Sequence, residues 1–294
     1  MEQVLSRYTQ AFNTAWTHVL ERYRMCDHKL SQACYYALSG EGKRVRPLLT
    51  LACAEAVGGT LEQALPAAVA VEMVHTYSLV HDDLPDFDDD DFRRGRATVH
   101  RQFDVPTAIL VGDGLLTDAW SLLAKPQKWG LWADVATDVR LSWIENLSRA
   151  AGSSGMVLGQ DLDMYWTGVA DCPESMLWKI TQHKTADLFA AACTLGAQST
   201  GEMDIAVKPF EEFGRSLGVA FQLRDDGLDD RAGLGKSAGK DRRQEKNSAR
   251  RFFTPSQLAV KITEFREKAL KSIPLACQTD ALLALVRLVE CRTH

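Results

Sequence analysis

Along most of this chain apolar residues recur at three- and four-residue spacing, the period of helices that bury one face. Leu258, Val260, Ile262, Phe265, Ala269 and Ile273 form one such stripe. The stretch from Ala64 to Val80 is apolar almost throughout, which predicts a helix buried on all sides at the centre of a bundle. Strand signals are nearly absent: no Asn-Gly or Asp-Gly pair separates alternating apolar residues, and Asp113-Gly114 and Asp226-Gly227 fall inside helix-like patterns. Helices are predicted at 2–24, 28–39, 43–57, 61–83, 106–124, 129–149, 151–167, 173–199, 209–228, 255–273 and 279–292. Two polar segments resist assignment, Leu84–Asp104 and Asp229–Phe252, and each follows an acidic helix end. Long polar loops inside a compact domain are commonly functional. No linker-like composition divides the chain, so one all-α domain over residues 1–294, a helical bundle, is expected.

Composition narrows the function classes. With 46% apolar and 25% charged residues the chain reads as a globular protein, and its net charge of −5 argues against binding nucleic acid. The acid is concentrated at Asp82–Asp91 and Asp225–Asp230. Seven cysteines without a C-x-x-C pair argue against a disulfide framework or a thiolate zinc site and point to a reducing compartment. No signal peptide, apolar run of about 18 residues, lipidation motif or basic amphipathic anchor is legible. A cytoplasmic protein without a stable membrane anchor is therefore expected.

The first acidic cluster runs His81-Asp82-Asp83-Leu84-Pro85-Asp86-Phe87-Asp88-Asp89-Asp90-Asp91 and the second Arg224-Asp225-Asp226-Gly227-Leu228-Asp229-Asp230. Asp225 and Asp229, four apart, share a helix face, where stacked carboxylates repel unless a cation sits between them. Each cluster also ends an apolar helix, where acid opposes the negative pole of the helix dipole. Both burdens are relieved by hard divalent cations. Mg²⁺ suits the donor set, because it takes one or two carboxylates and leaves other positions to water or phosphate. Asp89–Asp91 taken alone read as solvated surface. Cations accompany the acid: Lys43 and Arg46, Arg93-Arg94, His183-Lys184, and Lys236, Lys240 and Lys246. Such side chains grip a diphosphate through charge-assisted hydrogen bonds.

In this order the motifs Gly42-Lys43-Arg44-Val45-Arg46-Pro47, Glu72 through Pro85, Asp88 to Gly95, Gly159-Gln160-Asp161-Leu162-Asp163, His183-Lys184-Thr185, Phe221-Gln222 through Asp229 and Leu234-Gly235-Lys236 resemble the trans-prenyl diphosphate synthases, in particular the bacterial farnesyl diphosphate synthases. The resemblance implies the all-α isoprenoid synthase bundle with a central cavity, a homodimer, and magnesium as cofactor, three ions once substrate is bound. It implies condensation of isopentenyl diphosphate with dimethylallyl or geranyl diphosphate. Asp82, Asp88, Asp163 and Asp225 would be metal ligands. Asp83, Asp226, Asp229 and Lys184 would complete the catalytic set. Lys43, Arg46, His75 and Arg94 would hold isopentenyl diphosphate. Arg93, Lys184, Thr185, Gln222, Lys236 and Lys246 would hold the allylic diphosphate.

Three departures stand out. Asp86 creates a second spacing, Asp82-Asp83-x-x-Asp86, and leaves open whether Asp86 or Asp88 completes the first motif. Gly227 replaces a bulky apolar residue, and the stretch from Asp229 to Gly235 is short. Tyr77 lies five residues before Asp82, about 7.5 Å deeper along a helix. In the family an aromatic there goes with a C15 product, so Tyr77 and Ser78 are the expected chain-length positions. A geranyl or geranylgeranyl diphosphate synthase, a terpene cyclase and a non-catalytic partner subunit are the rival readings. The second acidic motif and the isopentenyl-type cations disfavour the last two.

Overall fold

The largely apolar stretch from Ala64 to Val80 becomes the central helix of a bundle in the computed structural model, which describes residues 2–201, 207–228, 248–277 and 279–290. The elements, in order, are α1 (Glu2–Arg24), α2 (Lys29–Leu38), α3 (Val45–Ala56), α4 (Leu61–Asp82), β1 (Phe92–Arg93), β2 (Arg96–Ala97), α5 (Val99–Gln102), α6 (Val105–Ala124), α7 (Thr137–Ala151), α8 (Met156–Trp166), α9 (Glu174–Ile180), α10 (Asp187–Gln198), α11 (Val207–Leu228), α12 (Pro255–Ser272) and α13 (Asp280–Glu290). α4 begins at a capping box in which Thr60 accepts from the Gln63 amide and Gln63 accepts from the Thr60 amide. From Ala64 to Val74 every residue except Leu65 is fully or nearly buried, because α1, α3, α6 and α10 surround the helix. Its last residue is Asp82, so a buried apolar rod delivers the first acidic cluster.

Three predicted features differ. The helix expected at 129–149 begins only at Thr137. A 3₁₀ turn at Pro126–Trp129 ends at Gly130 (φ 77°), and the chain then runs without regular structure to Ala136. Leu131, Ala133 and Val135 are buried while Trp132 and Asp134 face out. That alternation is the period of extended chain, which a helical reading overlooks. The helix expected at 173–199 is interrupted by a π-helical turn, Thr181–Ala186. The segment Leu84–Asp104 holds a small antiparallel hairpin, Phe92 opposite Ala97 and Arg93 opposite Arg96. Its two turn residues, Arg94 (φ 53°) and Gly95 (φ 76°), both adopt the left-handed conformation that two-residue hairpin turns favour.

A main core draws side chains from every α-helix except α9. A second, smaller cluster, Leu177, Ala186, Val219, Leu223, Ala249 and Leu258, fastens α12 to α9 and α11. Among the described residues α6 alone is long and apolar enough to cross a bilayer by length and composition. It carries Asp113 and Asp118, and one face packs on α4.

Candidate active site

The C-terminal ends of α4 and α11 open into one cavity of about 1390 Å³. Asp82, Asp88, Asp163, Asp225 and Asp226 line it together, so the two acidic clusters confront each other across a shared space. Lys43, Arg46, His75, Arg93, Arg94, Lys184, Thr185 and Gln222 line it as well, as do Tyr77 and Ser78. Asp229, Lys236 and Lys246 lie outside the described residues.

After α4 the chain folds back on itself. The Asp88 amide donates to the Asp82 carbonyl at 2.8 Å, and the Asp90 amide to that of Asp83 at 3.2 Å. This return places Asp88 on the cavity wall, whereas Asp86 is exposed and absent from the lining. Asp83, expected among the catalytic carboxylates, is also absent from the lining. It is buried, and both its oxygens take the Arg93 Nε–H, at 2.7 and 2.8 Å. Asp83 thus orients Arg93 from behind, and Arg93 reaches the cavity already engaged.

The π turn supplies Lys184 and Thr185. Gly159 makes that possible: a Cβ there would stand 2.1 Å from the Lys184 backbone nitrogen, so α8 and the π turn touch only because residue 159 has no side chain. At this distance Lys184 Nζ meets Asp163 Oδ2 at 2.7 Å. Burial disfavours the ammonium charge, but Asp163, Asp82 and Asp88 together outweigh it and raise the lysine above its ordinary value. Thr185 Oγ1 donates to Gln222 Oε1 at 2.7 Å, and Gln222 Nε2 donates to Asp226 Oδ1 at 2.8 Å. The Ala249 amide donates to the other oxygen, Oδ2, at 2.7 Å. From the cavity wall that it shares with Asp225, Asp226 therefore joins the π turn, α11 and the chain entering α12.

The basic wall is built from α3, α4 and the hairpin. Arg46 Nη1 donates to His75 Nε2 at 3.2 Å, and its guanidinium carbon lies 4.5 Å from the centre of the Phe189 ring. Burial and the charges of Arg46, Arg94, Arg93 and Arg44 hold His75 well below the usual imidazole range. Gly42 leaves room for Arg94, since a Cβ would meet its Nη1 at 2.5 Å. Arg44, quoted in the first motif without a role, faces inward. It pairs with buried Glu72, donates to the Gly40 carbonyl at 2.6 Å and stacks on Trp16, fixing the loop that carries Lys43. Burial and the nearby Asp82 push the Tyr77 phenol up to about 12.

Sequence reasoning assigned no role to Gln160, whose buried Oε1 has no hydrogen-bond partner at the cavity wall. A polar residue beside Gly159 in a quoted motif was the available signal. Leu288 and Val289 of α13 also line the cavity, and nothing in their apolar pattern separates them from core. Among the described residues no three His, Cys, Asp or Glu side chains converge as a ready metal cage. The donors are instead separate carboxylates on opposed walls, which fits ions that complete their shell with water and a bound phosphate.

The polyprenyl synthetase family model matches residues 27–268. A farnesyl diphosphate synthase of Geobacillus stearothermophilus is 38% identical, covering 100% of this chain and 98% of its own. A geranylgeranyl diphosphate synthase of Cyanophora paradoxa is 38% identical over 84% of this chain and 85% of its own. A geranyltransferase structure from Helicobacter pylori, complexed with magnesium and isoprenyl diphosphate, superposes with a TM-score of 0.83 at 28% identity, covering 97% of each chain.

Proposed function

Because the chain belongs to the polyprenyl synthetase family, we propose that it is a prenyltransferase joining isopentenyl diphosphate to dimethylallyl or geranyl diphosphate, with farnesyl diphosphate as product. The observation that carries this reading is the pair of acidic clusters on one cavity, flanked by a separate basic wall. Asp82, Asp88 and Asp225 would hold magnesium, with Asp163 beside them. When bound, magnesium would neutralise charge on the departing diphosphate.

The chain's own groups fit the remaining tasks. Lys184 keeps its charge and, with Arg93, Thr185 and Gln222, would bind the allylic diphosphate and stabilise it as it leaves. Lys43, Arg46 and Arg94 would hold isopentenyl diphosphate, and neutral His75 would orient Arg46. Enclosure in the cavity would keep water from the allylic cation. The double bond of isopentenyl diphosphate attacks that cation, and the departing diphosphate takes the proton. Asp229, Lys236 and Lys246 belong to the same proposal.

A C15 product is supported by Tyr77, which lies in the cavity lining below Asp82. The similar proteins carry both farnesyl and geranylgeranyl names, so length has to be measured. One domain is supported by a core that runs from the first helix to the last. A reducing compartment is supported by six free thiols among the described residues. A homodimer is supported by the outer face of α6, where Ile109 and Leu110 are 42% and 53% exposed.

The test is mass analysis of products from isopentenyl and dimethylallyl diphosphates with Mg²⁺. A C15 diphosphate is expected, and its loss in Asp82→Ala. Turnover of an allylic diphosphate without isopentenyl diphosphate would mark a cyclase and overturn the reading.

A further inference from the structure

Tyr77 has an aromatic partner on its own helix. One helical turn on, His81 sets its imidazole nearly perpendicular to the Tyr77 ring, with centroids 5.9 Å apart and planes at 84°. Both rings line the cavity. His81 is in turn fastened to a different helix: its Nε2 lies 3.0 Å from the Ile109 carbonyl oxygen of α6. A carbonyl only accepts, so this nitrogen carries the proton. The imidazole lies flat against the backbone of Gly112. A Cβ at residue 112 would stand 2.0 Å from Nε2, 2.4 Å from Cδ2 and 2.6 Å from Cε1. Any side chain there would expel the ring from its seat.

Resting on the reading that Tyr77 floors the cavity, we propose that His81, seated on α6 by Gly112, is a positioning residue that fixes the Tyr77 ring and thereby sets how long a prenyl tail the cavity admits. Tyr77 has only its χ1 and χ2 rotations with which to leave the path of the tail. The His81 ring, in contact with it, closes one side of that swing. The floor is then a property of the α4–α6 contact. Gly112, absent from the cavity lining, controls product length from behind it.

The experiment measures the ratio of C20 to C15 products made from isopentenyl and geranyl diphosphates by the full chain. Wild type is compared with Tyr77→Ala, His81→Ala, Gly112→Ala and the double variant Tyr77→Ala/His81→Ala. Loss of the edge-to-face contact should raise the ratio about fivefold in His81→Ala. Gly112→Ala should shift it in the same direction. The double variant should match Tyr77→Ala alone, because His81 acts through Tyr77. His81→Ala removes atoms, so it remains informative should Gly112→Ala fold poorly. If Tyr77→Ala lengthens the product while His81→Ala leaves the ratio at the wild-type value, the inference is wrong and the floor reading stands. If Tyr77→Ala itself makes only C15, both fall.

Discussion

Arg46 and His75 share a hydrogen bond whose direction is fixed, since a guanidinium can only donate and the imidazole nitrogen must accept. The imidazole is therefore neutral, as its lowered affinity for protons requires. The sign for stability follows. In the unfolded chain His75 binds a proton as pH falls through 6.5, while the folded chain resists, so the unfolded state holds the extra proton. His75 makes no contribution above 6.5 and destabilises the fold increasingly below it, down to the folded value. The slope is at most about 1.4 kcal/mol per pH unit. Urea unfolding of wild type and His75→Gln at several pH values from about 7.5 to 5.5 should show the steeper decline in wild type; parallel declines would remove His75 as the cause. The aspartates divide by the same kind of detail. Their presence near the site was legible, but not which ones face it. Asp88 reaches the cavity through a backbone return after α4, and Asp83 is turned to Arg93. Asp226 lines the cavity while its oxygens accept from Gln222 and the Ala249 amide. Nothing in a run of identical carboxylates encodes those directions. Asp226→Ala should strand the Ala249 amide at a cost of about 1–3 kcal/mol, read as a lowered denaturation midpoint. Asp225→Ala, at a carboxylate of the cavity lining, should abolish product formation in the two-substrate assay.

Elements were legible where their period was long and unbroken, as in α1, α4, α11 and α12, and less so where backbone geometry departs from the regular helix. The π turn at Thr181–Ala186 adds a residue without changing the apolar pattern around it, so a continuous helix was the natural reading. The hairpin was hidden because its turn is Arg94-Gly95 between strands of two residues, too short for an alternation to register. Both irregular elements carry site side chains, which accords with strain being kept where function requires it. The close approach of α8 and the π turn yields a comparison of two glycines. In Gly159→Ala the new methyl would meet backbone at 2.1 Å, which only a shift of α8 relieves. A displacement of about 1 Å at Lys184 should lower kcat about a hundredfold. In Gly114→Ala the methyl meets nothing of its own chain within 4 Å. That variant should keep kcat and gain up to about 1 kcal/mol from helix propensity. Steady-state rates and melting curves of the two variants check both expectations, and equal kcat values would show that the α8 contact does not position the lysine.

At the scale of the molecule the sequence disclosed the all-α bundle and the order of its motifs, and left the outer face of α6 unexplained. This helix is the most apolar long element and carries its hydrophobicity on both sides. The inner side packs on α4, while Ile109 and Leu110 look outward. Two partners could use such a face, a bilayer or a second copy of the chain, and charge separates them. Asp113 stands exposed one turn beyond Ile109, and Asp118 accepts from the Tyr23 hydroxyl at 2.6 Å, so spanning a bilayer would carry two carboxylates into hydrocarbon at several kcal/mol. A two-fold contact would instead cover Ile109 and Leu110 and leave Asp113 at its polar rim. Light scattering of the purified chain should give about twice 32.6 kDa, without detergent. Leu110→Glu, which sets a carboxylate in the middle of the apolar strip, should give the single-chain mass, with secondary structure intact by circular dichroism. A wild-type protein that scatters as a single chain would remove the dimer. One that sediments with vesicles would hand the face to the membrane and require Asp113 and Asp118 to be protonated or paired there.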